Sequence, residues 1–176
     1  MPLGRRDLFE RLEALGIATE TAEHAPLYTV EDSRALRGEI PGGHTKNLFL
    51  KCKKGSLWLV VAHEETAVDL KGLAKQLGAG RFSFGNAELL GEVLGVPPGA
   101  VTPFALINDA EQRLGVVLDR ALLDFDRLNF HPLENSATTG ISRDDLLAFI
   151  RACGHEPVIL ALRGDEPGDQ QSGGPG

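Results

Sequence analysis

One lysine stands out because of the position that the strand pattern gives it. Residues 44–61 form a β-hairpin pattern, in which two runs rich in β-branched and aromatic residues flank a glycine-containing turn. Because alternate side chains of a strand point to opposite faces, Lys46 shares a face with Leu48, Leu50 and Cys52. A lysine at the edge of an apolar face reaches outward, binds an anion or loses its proton. The same pattern also fits an edge lysine that discourages strand-to-strand aggregation.

Two polar segments further along the chain could also take part in chemistry. The segment Gly99–Pro103 places a permissive glycine and a rigid proline around three backbone amides, and such amides can approach a ligand carbonyl. A plain turn that leads into a strand fits the same residues. The segment Phe130–Ser142 is rich in hydroxyls and ends at a helix cap, so it fits a functional loop or a connection whose hydroxyls satisfy backbone groups.

Several familiar site patterns are missing from the sequence. There is no GxSxG elbow and no P-loop. The two cysteines lie in apolar patterns without a CxxC motif, which is typical of buried thiols in a reducing compartment. The five histidines form no HxxxH or HxH pair, so their spacing predicts no local metal site; they are His24, His44, His63, His131 and His155.

The surrounding patterns predict the elements that position these residues. Helices are expected over 7–15, 30–36, 68–77, 87–94 and 143–152, the last two with Asn86 and Ser142 as their N-caps. Strands are expected within 17–28 and over 82–84, 101–108, 114–119, 122–131 and 158–162. With 42% hydrophobic residues, the chain predicts one α+β domain over residues 1–163, built around a mostly antiparallel or mixed, barrel-like central sheet. Residues 164–176 are acidic, rich in glycine and proline and free of hydrophobic residues, so we expect a disordered tail.

The charge and the N-terminus bear on partners and on location. A net charge of −7 argues against broad, nonspecific nucleic-acid binding, although lysines cluster around the hairpin turn. The N-terminus lacks a signal-peptide pattern, and no apolar run approaches the ~20 residues that span a bilayer. We therefore expect a cytoplasmic protein that does not enter the membrane.

The three segments together resemble the prolyl-tRNA editing family, the YbaK-like deacylases. The resemblance covers about residues 8–162 and is carried by Thr45-Lys46-Asn47-Leu48-Phe49-Leu50, by the GxxxP loop Gly99–Pro103, and by Asn129-Phe130-His131-Pro132-Leu133-Glu134-Asn135 with Thr138-Thr139. GxxxP alone is a weak motif, but the ordered set is specific. Its last part is most similar to the freestanding, ProX-type branch that removes alanine from mischarged tRNA(Pro). The branch specific for cysteine is the nearest alternative.

The resemblance implies an α+β editing-domain fold and a function. A carboxylic ester hydrolase of this kind cleaves the ester that joins an amino acid to the tRNA 3′ end, with no metal and no tightly held cofactor. Lys46 would match the family's essential lysine, and Gly99 would belong to the loop that lies against the substrate. The other site residues implied are Asn47, Ala100, Val101, Thr102, Pro103, His131, Ser136 and Thr138.

The chemistry expected of such a site follows from the substrate. An aminoacyl ester is already activated, so a held water can attack it with help from the ribose hydroxyl, and the protein must position the ester and stabilise the oxyanion. Lys46 would hold either the terminal phosphate or the ester region. The implied partners are the alanine-charged 3′ acceptor end of tRNA(Pro) and, as a second candidate, prolyl-tRNA synthetase. Deacylation of Cys-tRNA(Pro), and a non-catalytic module that binds a tRNA 3′ end or a synthetase, stay open.

Overall fold

The computed structural model describes residues 2–26 and 40–162. Along the chain its helices and strands are α1 (Arg5–Ala14), β1 (Thr19–Glu23), β2 (Gly43–Cys52), β3 (Leu57–His63), α2 (Leu70–Leu77), β4 (Phe82–Phe84), α3 (Ala87–Leu94), β5 (Leu114–Asp119), β6 (Arg127–Phe130), β7 (Ala137–Ser142), α4 (Arg143–Ala152) and β8 (Val158–Leu160). Two short 3₁₀ helices cover Pro103–Asn108 and Arg120–Asp124. The helix predicted over 30–36 and the predicted tail lie outside the described residues. Within those residues, no helix is long and apolar enough to cross a membrane.

The eight described strands form one mixed sheet. Their order is β1-β7-β6-β2-β3-β5-β8, and β4 also pairs with β2. Four pairings are antiparallel, namely β1 with β7, β6 with β7, and β2 with both β3 and β4. Three are parallel, namely β2 with β6, β3 with β5, and β5 with β8. The α+β fold and the hairpin predicted from sequence are both confirmed.

Hydrophobic side chains form a core cluster on each face of the sheet. Phe49 and Leu50 are adjacent on β2 and enter different clusters, as strand alternation requires. The larger cluster packs β-sheet residues against α1, α3 and α4, with Phe104 and Phe149 fully buried at its centre. The smaller cluster packs α2 through Leu73. The face assignment made for β2 from sequence is therefore confirmed.

Side-chain caps fix where three of the helices begin. The Asp69 carboxylate accepts a hydrogen bond from the Gly72 amide at 3.1 Å, and the Asn86 side-chain oxygen accepts one from the Leu89 amide at 2.8 Å. The Ser142 hydroxyl accepts from the Asp145 amide at 3.1 Å. These bonds satisfy amides that the first helical turn leaves unpaired, so the caps predicted at Asn86 and Ser142 are confirmed.

The strand predicted over 101–108 is wrong, because Pro103–Asn108 forms a 3₁₀ helix. The Thr102 hydroxyl accepts a hydrogen bond from the Phe104 amide at 3.2 Å, and Pro103 has the φ that a first helical position needs. Every residue from Pro103 to Ile107 is buried. Such a run shows no alternation, so periodicity alone could not separate a buried strand from a buried helix.

Two further segments differ from the sequence prediction. The extended segment expected over 122–131 divides into the end of a 3₁₀ helix and the shorter strand β6. The polar loop expected up to the helix cap contains strand β7. Two adjacent β-branched threonines favour an extended backbone there. Gly140 lies beneath the Arg127 guanidinium, at a point where a β-carbon would overlap it.

Candidate functional site

The site candidates are carried by four neighbouring strands, β1, β7, β6 and β2. Leu128 of β6 pairs with Ile141 of β7, and both are buried in the larger core cluster. Asn129 pairs with Gly140 of β7 and with His44 of β2, and its side chain points to the opposite face. Strand alternation therefore places one polar face in this half of the sheet, opposite the main core.

Lys46 and Asn47 lie on opposite faces of β2. Lys46 pairs with Ala62, which is fully buried in the smaller core cluster, so the lysine lies at the edge of an apolar face as predicted. Its ammonium makes no hydrogen bond or ion pair with any residue in 2–26 or 40–162. The Asn47 side-chain nitrogen lies 3.5 Å from the Thr45 hydroxyl. Its oxygen is buried and has no hydrogen-bond partner in the described part of the chain.

Hydrogen bonds join the lysine strand to β6. The Thr45 hydroxyl donates to the Asn129 carbonyl at 2.8 Å, and the Asn129 side-chain nitrogen donates to the Pro41 carbonyl at 2.9 Å. The parallel ladder between the two strands ends at the His44–Asn129 pair. Lys46 lies two residues past that pair on β2, and His131 lies two residues past it on the chain leaving β6. Both candidates therefore stand at the point where the ladder ends.

A second histidine accompanies His131. The His131 Nδ1 atom donates to the Ala137 carbonyl at 2.9 Å, because a carbonyl oxygen can only accept. The His24 ring lies with its centroid 6.4 Å from that of His131, at an angle of 61°. His24 Nε2 lies 2.9 Å from the Thr138 hydroxyl oxygen. The strand ends thus bring together two imidazoles and one threonine hydroxyl.

Burial lowers the pKa of His131 below its ordinary value of 6.5, and the nearby His24 lowers it further. The hydrogen bond to the Ala137 carbonyl acts in the opposite direction and is weaker than the effect of burial. At neutral pH His131 is therefore uncharged, with its proton on Nδ1. Its Nε2 atom then carries a lone pair and can accept a hydrogen bond.

The Gly99–Pro103 loop meets the turn that follows His131. Gly99 has φ +94°, and a β-carbon built on it would point toward the Asn135 side-chain nitrogen at 3.7 Å. The Ala100 amide already donates to the Pro97 carbonyl at 3.1 Å, so it is not free to bind a ligand oxygen. The amides of Val101 and Thr102 make no hydrogen bond with the described residues. Of the three amides expected to face a ligand, two thus remain free in the described part of the chain.

Buried side chains anchor this loop to the protein. Ala100 and Thr102 are fully buried, and Val101 packs against the larger core cluster. Pro103 begins the buried 3₁₀ helix. Loop amides held in this way are pre-organised, which is what oxyanion stabilisation requires.

The Ser136 hydroxyl belongs to a hydrogen-bond network at the surface and makes no hydrogen bond to His24 or His131. Its hydroxyl donates to the Glu134 carboxylate at 3.2 Å, while its carbonyl accepts from the His24 amide at 3.0 Å. Arg5 of α1 pairs with Glu134 at 3.5 Å and also with Glu23. The first helix thus fixes both segments that carry the histidines.

Sequence reasoning missed His24 and Asn129 as residues of this region. His24 and Thr138 are 114 positions apart, so no spacing rule joins them. The strand alternation that placed Lys46 could have placed Asn129 only if the pairing of β6 with β2 had been known. Within the described residues, no group of three or more His, Cys, Asp or Glu side chains could hold a metal ion.

Known proteins resemble this chain in both sequence and fold. Residues 24–149 match the model of a family described as aminoacyl-tRNA editing domain. The protein of Mus musculus named prolyl-tRNA synthetase associated domain-containing protein 1 is 40% identical over 161 residues, which cover 89% of this chain and 95% of that protein. The prolyl-tRNA editing protein ProX of Acetoanaerobium sticklandii is 34% identical over 159 residues, covering 90% and 97% of the two chains.

The crystal structure of a proposed trans-editing enzyme for prolyl tRNA synthetase superimposes with a TM-score of 0.69 over 94% of this chain and 99% of its own. Only 20% of the aligned residues are identical, so this likeness bears on the fold alone. The family model, in contrast, spans most of the sequence, and the relatives align over nearly their whole length. The chain therefore belongs to the aminoacyl-tRNA editing domain family.

Proposed function

We propose that this protein hydrolyses the ester that joins alanine to the 3′ end of tRNA(Pro), and that it acts in trans on the mischarged tRNA. The observation that carries the proposal is the meeting of the anchored Gly99–Pro103 loop with the turn that follows His131, while His131 and Lys46 each lie two residues past the end of the β2–β6 ladder. The 34% identity to a protein named prolyl-tRNA editing protein ProX, over 97% of its length, supports prolyl-tRNA editing, and the choice of alanine is part of the proposal.

The reaction needs a held water and a stabilised oxyanion. The water oxygen bonds to the ester carbonyl carbon, the bond from that carbon to the ribose oxygen breaks, and the ribose oxygen takes up a proton. The products are free alanine and tRNA with a free hydroxyl. The amide of Val101, a partly exposed residue, is suited to bind the developing oxyanion, and a donor of this kind contributes roughly 10²–10³ in rate.

Lys46 is suited to hold the anionic end of the substrate. Its ammonium has no partner among the described residues, and it lies at the edge of an apolar face, where a charge-assisted contact is little screened. Asn47 turns the other way and offers a buried oxygen without a partner in the described chain. Lys46 would contact the terminal phosphate or the ester region, while Asn47 would fix the strand beside it.

Selectivity for alanine over proline would come from shape. Attraction for extra methylenes gives only ~1–3 kcal/mol of discrimination, so a small rigid pocket must exclude the larger ring. The neutral His131 suits such a pocket, because a charged imidazole would repel the α-ammonium of the substrate. Thr138 and the Gly99–Pro103 loop would form the other walls.

Deacylation assays on Ala-, Cys- and Pro-tRNA(Pro) test the proposal. We expect hydrolysis of the alanyl ester and little of the prolyl ester. Lys46→Ala should lower the rate roughly 10- to 100-fold, since a hydrogen bond to a charged group is worth ~1.5–3 kcal/mol. Lys51→Ala is the matched control, because Lys51 is exposed on the other face of the same strand.

Each alternative predicts a different outcome of these assays. Preferential hydrolysis of Cys-tRNA(Pro) would assign the cysteine specificity instead. Binding of tRNA without turnover of any ester would assign a non-catalytic module. A folded Lys46→Ala protein with wild-type turnover would remove Lys46 from the mechanism.

The editing unit proposed here comprises residues 1–163, and it would act in the cytoplasm with tRNA(Pro) and, as a second candidate partner, prolyl-tRNA synthetase. A chain truncated after residue 163 should deacylate Ala-tRNA(Pro) at the full-length rate, because the family model ends at residue 149. A large loss of rate on truncation would place part of the site in the tail.

A further inference from the structure

His24 follows directly after β1 and is held by three hydrogen bonds. Its amide donates to the Ser136 carbonyl at 3.0 Å. Its ring Nδ1 donates to the Ala25 carbonyl at 2.8 Å, which leaves Nε2 of the neutral ring as an acceptor. The Thr138 hydroxyl, 2.9 Å away, therefore donates to that Nε2 atom. The Ala25 carbonyl and the Thr138 hydroxyl together set the ring orientation and the tautomer of His24.

The His131 ring is oriented in the same manner in the segment that follows β6. Its Nδ1 donates to the Ala137 carbonyl, so its Nε2 also carries a lone pair. The two rings lie 6.4 Å apart between centroids in an edge-to-face arrangement. At this separation, a positive charge on the His24 ring disfavours a proton on the His131 ring.

We infer that His24 is a positioning residue of the aminoacyl site, where it orients the Thr138 hydroxyl and packs edge-to-face against the neutral His131 ring. This inference rests on the proposed function, because it concerns how the site treats a substrate that carries an α-ammonium group. His24 acts through Thr138 and His131, without itself bonding the reacting ester.

The charged groups around the pair make this coupling specific. Arg5 of α1 pairs with Glu23 at the end of β1 and with Glu134 in the turn between β6 and β7, so one cation and two carboxylates lie near the pair. Lys46 of β2 faces the same side of the sheet. Glu23, the residue before His24, also interacts electrostatically with it, so this carboxylate offsets part of a positive charge on His24. His24 still lowers the pKa of His131, in addition to the larger effect of burial.

A histidine in this place could instead serve only to stabilise the end of β1. Two substitutions separate this structural role from the positioning role. His24→Gln places an amide oxygen near the position of Nε2, so it retains the acceptor for Thr138 but cannot titrate. His24→Phe keeps a planar ring but has no acceptor. Thr21→Val is the matched control, because the Thr21 hydroxyl makes an equivalent cross-strand bond to the Thr139 hydroxyl at 2.8 Å, away from the histidines.

The first readout needs no substrate. NMR titration of the free protein should show the midpoint of His131 moving to higher pH in both His24 variants, because the lowering effect of a second imidazole is lost. It should stay at the wild-type value in Thr21→Val. An unchanged His131 midpoint in both His24 variants would overturn the inference, whatever the activity.

The second readout is the pH profile of Ala-tRNA(Pro) deacylation. In both His24 variants, the acid limb of the rate profile should shift to higher pH together with the titration midpoint of His131. At its alkaline plateau His24→Gln should keep the wild-type rate, whereas His24→Phe should lose roughly fivefold, the equivalent of one ~1 kcal/mol hydrogen bond. Equal plateau losses in His24→Phe and Thr21→Val would overturn the inference, because general loosening of β1 would then explain both. If no protein hydrolyses any ester while His131 still titrates as expected, the coupling stands and the proposed function fails.

Discussion

Substitutions of Gly99 test whether the Gly99–Pro103 loop borders the aminoacyl group. Gly99 has φ +94°, and a β-carbon there would lie 3.7 Å from the Asn135 side-chain nitrogen, an ordinary van der Waals distance. Gly99→Ala therefore adds backbone strain without a steric clash. Left-handed backbone costs ~1–2 kcal/mol for a residue with a side chain. For a chain of this length that cost lowers Tm by roughly 2–8 °C.

Gly99→Val carries the same strain and adds two methyl groups about 1.5 Å beyond the β-carbon. These methyls either press on the Asn135 side chain or fill the space in front of the loop. Overpacking of this kind costs ~1–3 kcal/mol. We expect Gly99→Val to lower Ala-tRNA(Pro) deacylation at least roughly tenfold, the equivalent of ~1.4 kcal/mol, while Gly99→Ala retains most of the rate.

The hairpin turn provides a matched control for the strain. Gly55 has φ +97°, close to that of Gly99, and a β-carbon there would meet nothing within 4 Å. Gly55→Ala and Gly55→Val should lower Tm to a similar extent and leave single-turnover deacylation unchanged. Equal rate losses in Gly99→Ala and Gly99→Val would leave strain as the sole cause. Wild-type turnover by Gly99→Val would refute the placement of the loop beside the alanine.

Three further predictions concern stability. Because the pKa of His131 is lowered in the folded state, the unfolded chain takes up this proton first as the pH falls. The free energy of unfolding should therefore be full above about pH 6.5 and decline as pH falls through the lowered pKa. In urea titrations, His131→Gln should flatten this dependence on pH, and an unchanged slope would contradict the assignment. Gly115→Ala should cost ~1–3 kcal/mol, because its β-carbon would overlap the ring of Trp58, the only tryptophan, whose fluorescence reports the change. Asp119→Asn should cost ~1–3 kcal/mol because the carboxylate, 2% exposed, accepts from the Thr66 hydroxyl at 2.6 Å and from backbone amides; an unchanged urea midpoint would show that the amide satisfies the same donors.

Local patterns predicted those parts of the fold that depend on neighbouring residues. The alternation along β2 assigned Lys46 and Asn47 to their faces, because a strand has a fixed period of two residues. The caps at Asn86 and Ser142 were predicted because each side chain bonds an amide three positions later. These bonds form within one turn of the chain, so they require no knowledge of the tertiary structure.

Buried runs and distant pairings could not be predicted in this way. Residues 103–107 of the Pro103–Asn108 helix are all buried, so their residue types are also compatible with a strand. The strand β7 was taken for a loop because its threonines and glycine look polar in isolation. In the sheet, Thr139 bonds Thr21 of β1, and Gly140 makes room for Arg127 of β6. Thr21 lies more than a hundred positions from Thr139, and Arg127 lies about a dozen positions from Gly140, so local patterns reveal neither contact.

The mixed topology explains how a site of distant residues can arise at this point. An antiparallel hairpin brings together residues that are close in sequence, and β2 with β3 forms such a pair around Lys46. The parallel pairing of β2 with β6 instead brings Lys46 beside a segment some 85 positions later, and this ladder ends two residues before Lys46 and before His131. Beyond the last pair, β2 and β6 no longer form ladder hydrogen bonds with each other, and their side chains can face a ligand. A site at the end of a short parallel ladder thus needs the strand order for its prediction. This explains why the motifs that resemble a known family are recognisable by their order along the chain, while the point where they meet is not.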